Sequence, residues 1–274
     1  DIDPFMLACE IGSSSASMIL KSSYMTKEIF EKPFYKGYTC LMAAIKKNID
    51  IAKDILSHEW CTEEFVKKVD TQFQQMAFHI ACYTNPDGAR HFLTTDYATT
   101  EIIKHRFKSS TNAGISTNCI IVSIAHTDLF KDILNHKNFD KSILTEQQQN
   151  TVFFDQCTNA AIAKIILDSD YCDEDLLKTK DLTGRTLFLF LAHTTRYIKS
   201  LEELIKHEKF TSDMFQEKND VGQGIFHVIQ RNSATYGSIN AGTGGSKVLI
   251  KLILSSNQIT KEILDDNVED ILKI

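Results

Sequence analysis

One pattern returns along the whole chain and limits its fold more than anything else in it. An apolar residue that closes a helix is followed six positions later by Thr or Asp, then by an acid or Ser two further on, then by two adjacent apolar residues. The clearest copy runs from Ile55 to Val66, where Leu56 leads to Thr62, Glu64 and the pair Phe65 and Val66. Seven copies can be written out. The closing residues Leu20, Leu56, Leu93, Leu134, Leu167, Ile205 and Leu254 lead to Thr26, Thr62, Thr99, Asp140, Asp173, Thr211 and Thr260. The apolar pairs are Ile29-Phe30, Phe65-Val66, Ile102-Ile103, Ile143-Leu144, Leu176-Leu177, Met214-Phe215 and Ile263-Leu264.

The intervals between successive Thr or Asp positions run from 33 to 49 residues. Periods of that size belong to stacked helical units, each burying against its neighbours an apolar face it cannot bury alone. Within one unit, residues 39–48 suit a short, nearly buried helix, and Asn48 is expected to end it in the left-handed conformation that Asn tolerates. The same slot, eight before the closing residue, holds Gly12, Asn48, Asn85 and Asn159. Residues 51–56 then show one apolar face at helical spacing, which predicts a second helix. The segment after it predicts a third, short helix. Its Thr or Asp can accept a bond from a free amide at the helix start, and acids such as Glu28, Glu64, Glu101, Asp175, Asp213 and Glu262 sit where the helix dipole favours negative charge.

Composition supports a large packed core. The chain has 274 residues, 43% of them hydrophobic and 24% charged, with only 3 Pro, far from the make-up of a disordered chain. Its 30 Lys and Arg against 36 Asp and Glu give a net charge of -6, so no general attraction to nucleic acid is expected. No apolar run approaches the roughly 20 residues of a membrane helix, so membrane insertion is not expected. The first residues show neither a basic leader nor an initiator Met, and the chain is expected to be cut from something longer. The 7 Cys are dispersed, without the close pairs that zinc or thiol exchange would use. They read as reduced thiols of a cytoplasmic or nuclear protein, with Cys9, Cys40 and Cys82 as small core-fillers near the start of a helix.

Residues 76–82, Met-Ala-Phe-His-Ile-Ala-Cys, and 222–229, Gly-Gln-Gly-Ile-Phe-His-Val-Ile, resemble degenerate forms of the ankyrin signature T-P-L-H-x-A. Residues 181–186, Asp-Leu-Thr-Gly-Arg-Thr, resemble the D-x-x-G-x-T that leads into it, and residues 37–56 align with the family without a gap. The likeness is strong over 1–95 and 180–230 and weak over 112–160, where the turn residues are lost. It implies an all-α, ankyrin-like helical repeat solenoid with an added short helix in each connection between repeats. One domain over 1–274 is expected, with units near 1–30, 31–66, 67–103, 104–144, 145–177, 178–215 and 216–274. For His79 and His227 the likeness implies a structural hydrogen bond in the turn.

Residues 232–246 break the rhythm. They are rich in Gly and Ser and predict a mobile loop, the expected place of earliest proteolysis. The run from Gly242 to Lys247 lacks the spacing and the preceding strand of a phosphate-binding loop. His58, His136 and His207 each sit two after a closing residue, and His105 lies in a similar setting. With no second ligand beside any of them they read as cations favoured at a helix C-terminus, not as metal sites. No His, Cys, Ser or acid cluster has the local context of a nucleophile motif.

The chain is therefore expected to be a non-catalytic, monomeric protein-interaction module without cofactor or metal. The alternative is the recognition or scaffold part of a larger enzyme or secreted effector whose catalytic region lies outside it. The elongated units are similar to those of ankyrin proteins of intracellular bacteria and large viruses, which implies a host protein as partner and the host cytosol as the place of work. In ankyrin stacks the partner meets the turn before the first helix and that helix's exposed residues. Projected onto this chain, those slots give Phe34, Tyr35, Tyr38, Lys46, Lys47, Tyr83 and Arg185, with Tyr236 in the Gly/Ser-rich stretch as a further candidate.

Overall fold

The computed structural model describes residues 3–108, 116–146, 151–236 and 244–272. The chain divides into two compact units, Asp1–Asp140 and Lys141–Ile274, and each is described by itself. The division falls within the repeat expected over 104–144, where the sequence pattern suggests no break.

In the first unit a three-helix module recurs. Its first helices are Pro4–Ile11, Cys40–Lys47, Ala77–Thr84 and Cys119–Val122, and its second helices are Ser15–Leu20, Ile49–Leu56, Pro86–Leu93 and Thr127–Leu134. Seam helices follow at Lys27–Glu31, Glu63–Val66 and Thr100–Lys104. First helices pack on first helices, second on second, and each first helix on its own second, which makes two helical layers. The sequence explains the division of labour. The run Cys40 to Ile45 is buried on every side, as an all-round apolar helix must be, whereas Ile49–Leu56 buries only Ile51, Ala52, Ile55 and Leu56 and turns Asp50 and Lys53 outward.

The second unit repeats the plan. It opens on a 3-10 turn at Lys141–Ile143 and continues through first helices Val152–Cys157, Leu187–Ala192 and Ile225–Tyr236, each followed by a second helix at Ala160–Leu167, Ile198–Lys206 and Gly244–Leu254. Its seams are Glu174–Leu177, the 3-10 helix Ser212–Gln216 and Lys261–Asp266, with Val268–Leu272 closing the chain. Counted within each unit, the closing residues Leu20, Leu56, Leu93, Leu134, Leu167 and Ile205 are all buried, while Leu254 is 41% exposed.

The caps work as the sequence suggests at five seams. Thr26, Thr62, Thr99, Asp173 and Thr260 accept from the amides of Ile29, Phe65, Ile102, Leu176 and Ile263. Thr211 makes no such bond; its seam tightens into a 3-10 helix in which the Met214 amide donates to the Thr211 backbone carbonyl at 3.1 Å. Asp140 takes the ammonium of Lys104 at 2.9 Å.

Three expectations are corrected. Asn48, Asn85 and Asn159 do not end helices in the left-handed region; their φ values are -150°, -152° and -96°, and only Gly12, at φ 73°, does so. Each Asn instead caps the helix that follows, its Oδ1 accepting from the amide of Asp50, Gly88 or Ala161. The amides of Asn48 and Asn85 also reach back one repeat, donating to the carbonyls of Gly12 at 3.1 Å and Ile45 at 2.9 Å. Second, the seam histidines are not cations at helix ends. Nδ1 of His58, His136 and His207 accepts from the amide of Trp60, Asn138 and Lys209, which needs a neutral ring. Burial lowers the pKa of His136 and His207. Third, helix enters both ends of the 232–246 stretch, through Tyr236 and from Gly244; residues 237–243 lie outside the described residues. A further element absent from the sequence reading is a short antiparallel pair, Phe107–Lys108 with Ser116–Thr117.

All seven thiols are buried, and burial pushes them up, to about 12 for Cys9 and about 11 for Cys61 and Cys172. Cys40 opens its helix as expected, but Cys9 and Cys82 fill the core from the last turn of theirs.

Candidate functional site

Before the first helices Cys40–Lys47, Ala77–Thr84, Leu187–Ala192 and Ile225–Tyr236 the chain makes a tight turn, or finger, and the chemistry of these turns sets the exposed face. Residues 34–38 form the first finger. The Phe34 amide donates to the Tyr38 carbonyl at 2.6 Å, and Lys36 and Gly37 both take positive φ, as a two-residue hairpin turn requires. Gly37 has a second reason to be glycine, since a Cβ there would come within 3.0 Å of Thr71 Cγ2 on the next finger.

The second finger, 70–75, is built on a buried carboxylate. Asp70 is 0% exposed and accepts from the amides of Gln72 at 2.8 Å, Phe73 at 2.6 Å and Gln75 at 2.8 Å. Gln74 stands at φ 61° where other fingers have Gly. In the second unit Asp181 does the same work, accepting from the Thr183 and Arg185 amides. Asn219 repeats it with Val221 and Gln223.

In the first unit the fingers are joined into one row. The Thr71 amide donates to the Lys36 carbonyl at 2.8 Å, and the Lys108 amide to the Phe73 carbonyl at 2.7 Å. The third member of the row is the antiparallel pair of Phe107–Lys108 with Ser116–Thr117. His79, in the signature slot, accepts from the Met76 amide at Nδ1 and meets the Ile102 carbonyl at 3.0 Å with Nε2. That is the bond the resemblance implies. His227 occupies the matching slot but is exposed.

Behind the first finger, where Pro4–Ile11 lies beside Cys40–Lys47, a groove of about 200 Å³ opens, lined by Glu10, Phe34, Tyr38, Ala43, Lys46 and Lys47. Four of the residues projected from the sequence therefore meet in one place. Phe34 and Tyr38 are half-buried there, whereas Lys46 and Lys47 are exposed. Burial and the nearby Asp70 carboxylate raise the pKa of the Tyr38 hydroxyl. Tyr35 is 72% exposed at the finger tip, with Lys36 Nζ 5.2 Å from its ring centre. Tyr83 is half-buried and meets the Phe107 ring edge-on at 6.1 Å.

Arg185 belongs to a different structure. Its Nε and a terminal nitrogen lie 2.8 and 2.7 Å from Asp181 Oδ2, and its guanidinium sits 5.3 Å from the Phe190 ring centre. It holds its own finger together instead of reaching outward. Burial works against ionisation of Asp181, but the bonds from Thr183 and Arg185 outweigh it and lower its pKa. The side chain of Tyr236 lies outside the described residues. The sequence reading missed Glu10, Lys36 and Asp70. Asp70 could have been found by setting residues 70–76 against 181–186, but the Gln at 74 hides the turn from a search for Gly.

Among the described residues no group of three or more His, Cys, Asp or Glu is placed to hold a metal ion, and no helix is long and apolar enough to cross a membrane.

No protein-family model matches the chain, and no curated protein matches it. Among solved structures it is similar to the ankyrin repeat domain of Bcl-3, described as a unique member of the IκB protein family, with 11% identity and a TM-score of 0.61 over 93% of this chain and 99% of that one. A second likeness, at 17% identity and a TM-score of 0.44, is to a predatory endopeptidase of Bdellovibrio bacteriovorus in complex with an immunity protein, over 92% of this chain and 98% of that one. Two helical layers, a row of fingers and the Bcl-3 likeness together give the fold: an ankyrin-like helical repeat with a short helix added at the seams.

Proposed function

We propose that the chain is a non-catalytic protein-binding module that holds a partner protein on the finger row and first helices of its first unit. The observation that carries this is the groove of Phe34, Tyr38, Lys46 and Lys47 beside the exposed Tyr35. Aromatic side chains at a concave, prearranged surface are the type that dominates interface energetics, with Lys more often on the rim. Backbone bonds fix the fingers before any partner arrives, which lowers the ordering cost of binding. The buried, undissociated thiols fit a reducing compartment, and the likeness of the elongated units to those of host-acting ankyrin proteins favours a host protein in the cytosol.

The test uses a partner identified by cross-linking to the intact chain. Tyr35→Ala combined with Tyr83→Ala should weaken its capture at least about tenfold, with the urea midpoint nearly unchanged. Equal binding by the double variant would move the site off this face.

A further inference from the structure

The charges of the first unit are segregated. Residues 32–48 carry Lys32, Lys36, Lys46 and Lys47, and residues 104–126 carry Arg106 and Lys108 beside Lys104, without one Asp or Glu in either stretch or in 71–86 between them. Among the described residues those stretches hold the first two fingers and the first helices Cys40–Lys47, Ala77–Thr84 and Cys119–Val122. Most carboxylates of the unit stand on the second helices and seams. There they are matched locally: Lys67 takes Glu63 and Glu101, Arg90 takes Asp87, Asp128 and Asp132, and Lys104 takes Asp140. On the finger side the one carboxylate within the row, Asp70, is buried and saturated by three amides. Lys32, Lys46 and Lys47 are exposed and enter no ion pair among the described residues. Lys36 reaches only the neutral Gln72 amide, at 2.6 Å. Glu10 is the one acid among the residues that line the groove.

Resting on the protein-binding reading, we propose that this face takes an acidic segment of its partner, with an apolar side chain of that segment seated among Phe34, Tyr38 and Ala43. Lys32, Lys46 and Lys47, exposed and in no ion pair among the described residues, on a chain whose net charge is -6, create a local positive surface that selects an acidic ligand and repels a basic one. At about 200 Å³ the groove is too small for a folded domain, and the carbon of Phe34, Tyr38 and Ala43 beside Lys46 and Lys47 suits one apolar anchor between carboxylates. The same cations could draw a phosphate backbone, but the acids of the outer layer oppose long-range capture of a polyanion, and a single apolar pocket offers no row of stacking platforms.

A random-peptide display library selected against the intact chain gives the first result. Enriched sequences should pair Asp or Glu with a large apolar residue. The best of them, made as a fluorescein-labelled synthetic peptide, should lose at least about tenfold in affinity against Lys46→Glu with Lys47→Glu. It should be kept within about twofold by Lys46→Arg with Lys47→Arg, and tightened about threefold by Glu10→Lys, a gain that misfolding cannot produce. Neutral or basic winners that still depend on Tyr35 and Tyr83 would overturn the acidic-segment inference and leave the binding face standing. Acidic winners indifferent to Tyr35, Tyr83, Lys46 and Lys47 would overturn both. Failure to enrich any sequence, or tighter binding of a labelled single-stranded oligonucleotide than of the best peptide, would also overturn the inference.

Discussion

His79 Nε2 meets the carbonyl oxygen of Ile102 at 3.0 Å, so one buried imidazole ties the turn of its own repeat to the seam that follows. The ring accepts from Met76 at Nδ1 and must therefore be neutral, and burial, with His105 nearby, lowers its pKa to about 3. Between the ordinary value near 6.5 and that value the unfolded chain binds a proton that the folded chain refuses. Stability is then complete above about pH 6.5 and falls as the pH drops, by up to about 1.4 kcal/mol per pH unit for this one group. Burial of His136 and His207 acts in the same direction. Urea melts at pH 7.0 and 5.5 should show the loss, and His79→Gln should lower stability at pH 7.0 while flattening its dependence on pH.

Thr62 and Leu56 sit six residues apart in one seam and should differ in cost. Thr62→Ala removes a single cap bond at an exposed helix start, about 1 kcal/mol. Leu56→Ala opens a cavity between repeats, roughly 2–5 kcal/mol. Equal midpoints for the two variants in urea would contradict the packing described for this seam.

Asp181 is nearly buried and collects bonds from Thr183 and both ends of Arg185. Asp181→Ala should cost about 3 kcal/mol, because it strands a guanidinium and several amides. Arg185→Met should also lower the melting temperature but leave partner affinity unchanged. A loss of affinity at unchanged stability would return Arg185 to the binding surface.

The seven buried thiols should be silent toward Ellman's reagent in native buffer and react together once guanidinium unfolds the chain. Rapid reaction of any one of them without denaturant would place it at a locally opening part of the stack.

The spacing of Leu20, Thr26 and Phe30, and of their later copies, announced the repeat because capping and apolar burial are local requirements written in residue type. The turns were harder to read. Gln74 takes a left-handed conformation without being glycine, held there by the amide cage of Asp70, and no periodicity signals that. The roles of Asn48, Asn85 and His136 were misread for a related reason: each bonds to a carbonyl one repeat away, Asn48 to Gly12, Asn85 to Ile45 and His136 to Leu93. A residue one or two places past a helix end looks like its terminator until the neighbouring repeat is seen. At the candidate site the aromatic and Lys positions could be projected, but Glu10 and Lys36 could not, since only the packing of Pro4–Ile11 on Cys40–Lys47 and the joining of the fingers bring them into view.

The seams carry one more regularity. Two positions before the cap, Tyr97, Asn138 and Lys209 each donate a side-chain bond backward, to the carbonyls of Cys61, Ala98 and Cys172 respectively. Each acceptor is main chain, the residue just before the previous cap. A phenol, an amide and an ammonium fill the same role, so the geometry asks only for a donor of sufficient reach. Lineages of such a chain could therefore exchange one donor for another at every repeat, erasing sequence likeness step by step while each repeat remains latched to the one before it.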